Sequence, residues 1–119
     1  MLVDDDRELL EELADSMIAS GFAVTACADG ESALKMVPEI MPDIILLDLK
    51  LEKINGFQVA ARLKQDPATS FIPVIAITGY YNPDEYYTLM KICGVKKCIT
   101  KPVSPENVIT EIRNVLING

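Results

Sequence analysis

Hydrophobic positions along this chain switch between two periods. Five short apolar runs, Met1-Leu-Val3, Phe22–Cys27, Pro42–Asp48, Pro73–Thr78 and Val95–Thr100, read as strands. Between and after them apolar residues recur every three to four positions, the helical period. Leu9, Leu10, Leu13, Ala14, Met17 and Ile18 line one helical face, with Gly21 as its stop. Asp29 is placed to cap a short helix through about Val37. After Asn55-Gly56 a helix carries Phe57, Val59, Ala60 and Leu63 and ends near Asp66-Pro67. Asn82-Pro83 is an N-cap and first-turn pair for a helix to about Cys93, with Gly94 past its end. Ser104-Pro105-Glu106 starts the last helix, whose face carries Val108, Ile109, Ile112, Val115 and Leu116. Strand and helix alternate five times, which predicts an α/β fold: a parallel sheet with helices on both sides.

The run that organises the rest is Ile44-Ile-Leu-Leu-Asp48. Its large apolar residues fit a central parallel strand covered on both faces. An ionised carboxylate at the end of such a strand is costly unless something compensates it.

Length and composition narrow the alternatives. The 119 residues, half of them hydrophobic, make one domain with a core of its own (residues 1–119), without repeat, linker or low-complexity tract. The first strand is short for a central position, which suggests that the natural chain begins upstream of Met1. A net charge of −7 and no basic stripe argue against direct nucleic-acid binding by this domain. No apolar run approaches the roughly 20 residues needed to span a bilayer, and acids follow the first residues where a signal peptide would be basic. No membrane association and a cytoplasmic location are therefore expected. The chain lacks histidine, and Cys27, Cys93 and Cys98 have no paired spacing, so zinc is not expected and the thiols are expected to be reduced and buried.

In open parallel sheets ligands bind beyond the carboxyl ends of the strands. The residues there are Asp4 and Asp5 after the first strand, Asp48 after the third, Thr78 after the fourth and Lys101 after the fifth. Converging carboxylates repel, and a hard divalent ion with oxygen ligands such as Mg²⁺ would hold them together while leaving positions for a phosphate. Lys101 adds a positive charge and Thr78 a hydroxyl donor, and a carboxylate can itself be the nucleophile. The set reads as phosphoryl transfer onto Asp48.

These residues, in this order and spacing, resemble the response-regulator receiver domain, the phosphoacceptor module of two-component signalling, over the whole chain. The resemblance implies a flavodoxin-like doubly wound fold with strand order 2-1-3-4-5. It implies Mg²⁺ held by Asp5 directly, by Asp4 more remotely, by Asp48 and by the backbone carbonyl of Lys50. Asp48, in Leu-Leu-Asp ahead of Asn55-Gly56-Phe57, matches the phosphorylated aspartate. Thr78-Gly79 matches the switch hydroxyl, and Lys101-Pro102 the lysine whose following peptide bond is cis. The implied partners are a sensor histidine kinase or a histidine phosphotransfer protein, and an output domain or target met through residues 82–117; a homodimer is a further possibility. Such a domain assists its own phosphorylation and dephosphorylation but is not classed as an enzyme.

The sequence departs from that pattern in three places. Glu52 replaces the usual loop proline. Cys98 replaces the aromatic three residues before the lysine, so signalling by rotation of that ring is not expected. Lys50 and Tyr80 occupy the positions that tune loss of the phosphoryl group, and together they suggest a long-lived phosphoform. Asp6 is assigned no more than a helix start, Asn55-Gly56 a turn, and Tyr80, Tyr81, Tyr86 and Tyr87 a partly buried or protein-facing role rather than a stacking platform for bases.

Three other functions compete. An aspartyl-phosphate phosphatase of the dehalogenase type would carry a second Asp two residues after the nucleophile, where this chain has Lys50. A flavin or nucleotide module would want a glycine-rich loop in place of Asp4-Asp5-Asp6. A receiver-like module that only mediates contacts would not need the full set of five residues.

Overall fold

The computed structural model describes residues 1–79 and 82–118. The elements follow in the order β1 (Leu2–Val3), α1 (Arg7–Ala19), β2 (Ala26–Cys27), α2 (Gly30–Ile40) and β3 (Ile45–Asp48). They continue with α3 (Gly56–Gln65), β4 (Val74–Thr78), α4 (Pro83–Lys91), β5 (Lys97–Thr100) and α5 (Pro105–Asn118). The five strands are parallel and lie in the order 2-1-3-4-5, as the resemblance implies.

Alternation along the central strands divides the core. Ile45 and Leu47 of β3, with Val74 and Ala76 of β4, face a cluster containing Val37 of α2, Val59 and Leu63 of α3, and Leu89 of α4. Leu46 of β3, with Ile75 and Ile77 of β4, faces Leu10 and Leu13 of α1 and Val108 and Ile112 of α5. A strand buried on both faces has no polar side to show, which is why β3 and β4 are nearly all apolar. Each fully buried Leu or Ile contributes about 1.5–3 kcal/mol by leaving water.

The ends of the elements follow local chemistry. Asp6, Asp29, Asn55 and Asn82 each accept hydrogen bonds from backbone N–H groups of the first turn of the helix they precede. Asn55 and Gln58 form a reciprocal capping box.

Several boundaries differ from the sequence pattern. Only Ala26 and Cys27 of the run Phe22–Cys27 pair in the sheet, against Leu2 and Val3. The edge strand has one neighbour, and β1 offers it two residues, so Phe22 and Val24 pack half-buried against the α1/α5 cluster. The first strand is extended in effect by Met1, whose carbonyl accepts from Leu46 N–H at 2.8 Å. Helix α2 runs past Val37 to Ile40 and contains Pro38. Proline's fixed φ is helical, and so close to the end its missing N–H costs one bond. Val95 and Lys96 precede β5 with single backbone bonds to Leu89 and Val74. The three cysteines are unpaired thiols; Cys27 and Cys93 are buried as expected, whereas Cys98 is half-buried. Among the described residues no helix is long and apolar enough to cross a membrane.

Gly56 sets the distance between α3 and the end of β3. A Cβ there would stand 2.4 Å from the Asp48 carbonyl oxygen and 2.6 Å from Leu49 Cα, both backbone atoms that cannot step aside. Gly79, beside Thr78, has nothing within 4 Å of the same position. Gly56→Ala is accordingly expected to lower stability by about 1–3 kcal/mol or more in urea unfolding, and Gly79→Ala to leave it nearly unchanged. Equal losses for the two variants would contradict this packing.

Candidate functional site

The carboxyl ends of β1, β3, β4 and β5 bring the candidate residues together. Parallel register aligns those ends: Thr78 lies beside Thr100 across the β4–β5 pair, and Asp48 beside Ile77 across β3–β4. Lys101 follows β5 directly, and its N–H donates to the Thr78 carbonyl at 2.6 Å. The Lys101–Pro102 peptide bond is cis.

Asp4 and Asp48 are 4% and 3% exposed, so both carboxylates are withdrawn from bulk water. Asp4 is fixed at both ends of the residue: its N–H donates to the Cys27 carbonyl at 3.1 Å, and its Oδ1 accepts from Asp6 N–H at 2.9 Å. Asp48 Oδ1 accepts from Lys50 N–H at 3.1 Å. Lys101 Nζ reaches Asp4 Oδ2 at 3.1 Å and Asp48 Oδ2 at 3.5 Å. Asp4 Oδ2 is buried and makes no well-directed hydrogen bond, so the ammonium is its compensation. Asp5 is exposed at the rim, and single oxygens of Asp4, Asp5 and Asp48 lie within 4.8 Å of one another.

Burial pushes the Asp48 carboxyl above its usual pKa, and the charge of Asp4 adds to this against the Lys50 N–H and Lys101. For Lys101, burial works to lower the pKa, but contact with Asp4 and the charges of Asp48 and Asp4 outweigh it and raise the ammonium. Lys101 therefore stays charged while Asp48 resists ionisation, as expected for acids sharing too few cations. The arrangement can hold a hard cation among three carboxylates, which suits oxygen-preferring divalent ions.

Thr78, 3% exposed, borders a narrow cleft between β4, α4 and β5. Leu49, Asn82, Glu85, Tyr86, Leu89 and Cys98 complete its lining, with about 10 Å³ open to water, room for one molecule at most. The half-buried Cys98 thiol, its pKa pushed up by burial, lines this space. Tyr86 was not singled out by sequence for this place; its helical register beside Leu89 was the available signal. Asp6, given no part in the site, caps α1 through its side chain and positions Asp4 through its backbone. Lys50 is exposed beside Asp48, and Tyr80, with Tyr81, lies outside the described residues. Tyr86 is half-buried and Tyr87 exposed on α4.

The family model described as "Response regulator receiver domain" matches residues 1–113. The chain belongs to that family. This receiver domain is 31% identical over 116 residues to the polar-differentiation response regulator DivK of Brucella anthropi, covering 98% of this chain and 94% of that one. It is 31% identical over 115 residues to the response regulator PleD of Caulobacter vibrioides, covering 97% of this chain but 25% of PleD. The phosphate regulon regulator PhoB of Pseudomonas aeruginosa is 30% identical over 116 residues, 98% of this chain and 50% of PhoB. The receiver domain thus spans half or less of several curated relatives that it matches. Among solved structures, a response regulator from Desulfuromonas acetoxidans is 29% identical with a TM-score of 0.87, covering 98% of this chain and 94% of that one. The chemotaxis protein CheY4 of Vibrio cholerae shares the fold with a TM-score of 0.90 at 23% identity, over 96% and 94% of the two chains.

The raised pKa of Asp48 has a measurable sign. A carboxyl that titrates higher in the folded chain than in the unfolded one favours folding when protonated. Its contribution is therefore lost as pH rises from the ordinary 3.8 through the raised value, and stays lost at neutral pH. In metal-free buffer Asp48→Asn is expected to melt above the parent at neutral pH, with the gap closing below about pH 4. A variant no more stable than the parent at neutral pH would contradict the electrostatics. The raised Lys101 contributes in the same sense but in a later window: its stabilisation is fully present at neutral pH and is lost only as pH rises from the ordinary 10.5 through the raised value.

Proposed function

We propose that this receiver domain accepts a phosphoryl group on Asp48 from a phosphohistidine of a sensor histidine kinase or a histidine phosphotransfer protein. The reading rests on one observation: three carboxylates offer oxygens within 4.8 Å of one another, and the Lys101 ammonium pairs with two of them. The donor set suits Mg²⁺, being all oxygen, and the buried Asp4 Oδ2 lacks a well-directed donor. Asp5, Asp48 and the Lys50 carbonyl would hold the ion directly, with Asp4 nearby. When bound, the ion supplies positive charge to the phosphoryl oxygens.

The chain's own residues do the rest. A carboxylate oxygen of Asp48 bonds to phosphorus as the P–N bond of the donor breaks, leaving imidazole and an acyl phosphate. The Lys50 N–H fixes the Asp48 carboxylate in place. Lys101 faces the other carboxylate oxygen, Oδ2, and offsets the incoming negative charge. The Thr78 hydroxyl, at the end of the neighbouring strand, is the donor that the phosphoryl group would draw inward, with α4, β5 and α5 beside it as the face for an output domain or target. The domain assists its own phosphorylation without being an enzyme in the usual sense, and it works in the cytoplasm. A contact-only receiver is the second reading, favoured by Cys98 standing where a ring would transmit the signal.

Incubation with acetyl phosphate, read by intact mass, separates the two. One phosphoryl adduct is expected with Mg²⁺, and none without Mg²⁺ or in Asp48→Asn. Lys101→Met is expected to slow its formation by about 10²–10³-fold, the effect of losing one preorganised positive donor. No adduct in a folded protein, with a histidine-kinase donor also tried, would leave the contact-only reading. Lys50→Ala is expected to shorten the lifetime of the adduct, and an unchanged decay would remove Lys50 from that role.

A further inference from the structure

The end of the sheet opposite the site carries a different surface. Of the eight large hydrophobic residues exposed among the described residues, all but Tyr87 lie in the last turn of a helix or between a helix and the next strand. Phe71 is 69% exposed, Ile117 79% and Leu116 43%, in a protein whose core is otherwise well covered. Two clefts of about 420 and 440 Å³ open there and share Asp43 and Leu116. Ile40, Met41 and Phe22 line the first, and Phe71, Pro73 and Lys96 the second. Several exposed large apolar side chains around clefts whose walls are about half polar have the mixed character of a protein contact site.

Charge identifies what the surface fits. The acids that give the chain its −7 gather at the other end, in the helix caps and first turns: Asp6, Glu8, Asp29, Glu31, Asp84, Glu85 and Glu106. Around the clefts Glu39 and Asp43 are matched by Lys96 and by Arg113, which lies over the Phe22 ring at 5.8 Å. This is the end where two copies of an acidic chain meet with least repulsion. Lys96 makes no ion pair among the described residues, and it lines the same cleft as Asp43. In a two-fold contact each patch meets its own copy, so Asp43 of one copy can face Lys96 of the other.

We propose that this end is a self-association surface, occupied by a second copy of the chain in a two-fold dimer that leaves the Asp48 end open. Phe71 and Leu116 supply the apolar centre, and two Asp43–Lys96 pairs set the register. The proposal is independent of phosphorylation, since the surface shares no residue with the site.

Sedimentation velocity over concentrations up to millimolar, on unphosphorylated protein, tests it. The mass is expected to rise from 13.1 kDa toward twice that value. Phe71→Asp and Leu116→Glu are expected to hold the chain monomeric while melting near the parent temperature, Phe71 being the safer variant because its side chain is mostly in water. Lys96→Asp is expected to weaken the dimer about tenfold, and adding Asp43→Lys to restore it. A chain that stays monomeric throughout, a dimer indifferent to Phe71→Asp, a dimer lost only with Ile92→Asp on the α4 side, or a charge swap that fails to restore would each overturn the proposal.

Discussion

Asp4 and Asp48 are both buried, and among the described ion pairs one ammonium, that of Lys101, faces both of them. Two negative charges in a medium less polarisable than water cannot both be settled by one positive charge. The upward push on Asp48 expresses that shortage. A site with a standing deficit of positive charge is poised to take a cation. Once a cation is there, it can take an anionic phosphoryl group as well. The chemistry proposed for this receiver domain is thus a consequence of how its charges are left unbalanced.

The rest of the fold keeps that imbalance in place. Strands β3 and β4 are fixed from both faces by the two core clusters, so the end of β3 cannot retreat from β5. Asp4 is held by the Cys27 carbonyl and by the backbone of Asp6, the residue that also starts α1. Gly56 lets α3 approach the Asp48 carbonyl closely, and the following helix braces the loop that carries Lys50. On the far side Thr78 connects the site to the cleft under α4. There the Cys98 thiol and Tyr86 line the same narrow space. All helix N-termini point toward the acidic end, which gives the molecule one charged, reactive end and one apolar, balanced end.

Most of this was legible in the sequence because central parallel strands announce themselves. Ile44–Leu47 and Val74–Ile77 have no polar face, so their ends, and with them Asp48 and Thr78, could be located without a structure. The edge was harder to read. Phe22 and Val24 are apolar for packing against helices rather than for pairing, and β1 is too short to show the difference. The second helix read as ending near Val37, because the pattern does not show that one more turn follows through Pro38 to Ile40. Gly56 read as a turn because its contact with Asp48 is tertiary. Asp6 read as a helix start, which it is, while its backbone bond to Asp4 depends on a turn that no residue type encodes.

At the centre of the account is a cation site made by the buried Asp4 and Asp48 together with Asp5 at the rim. Calorimetric titration of the unphosphorylated domain with Mg²⁺, beside Asp5→Asn and Asp48→Asn, tests it most directly. The account predicts one saturable site in the parent, lost or strongly weakened in both variants. Absence of binding, or binding that both variants retain, would contradict it.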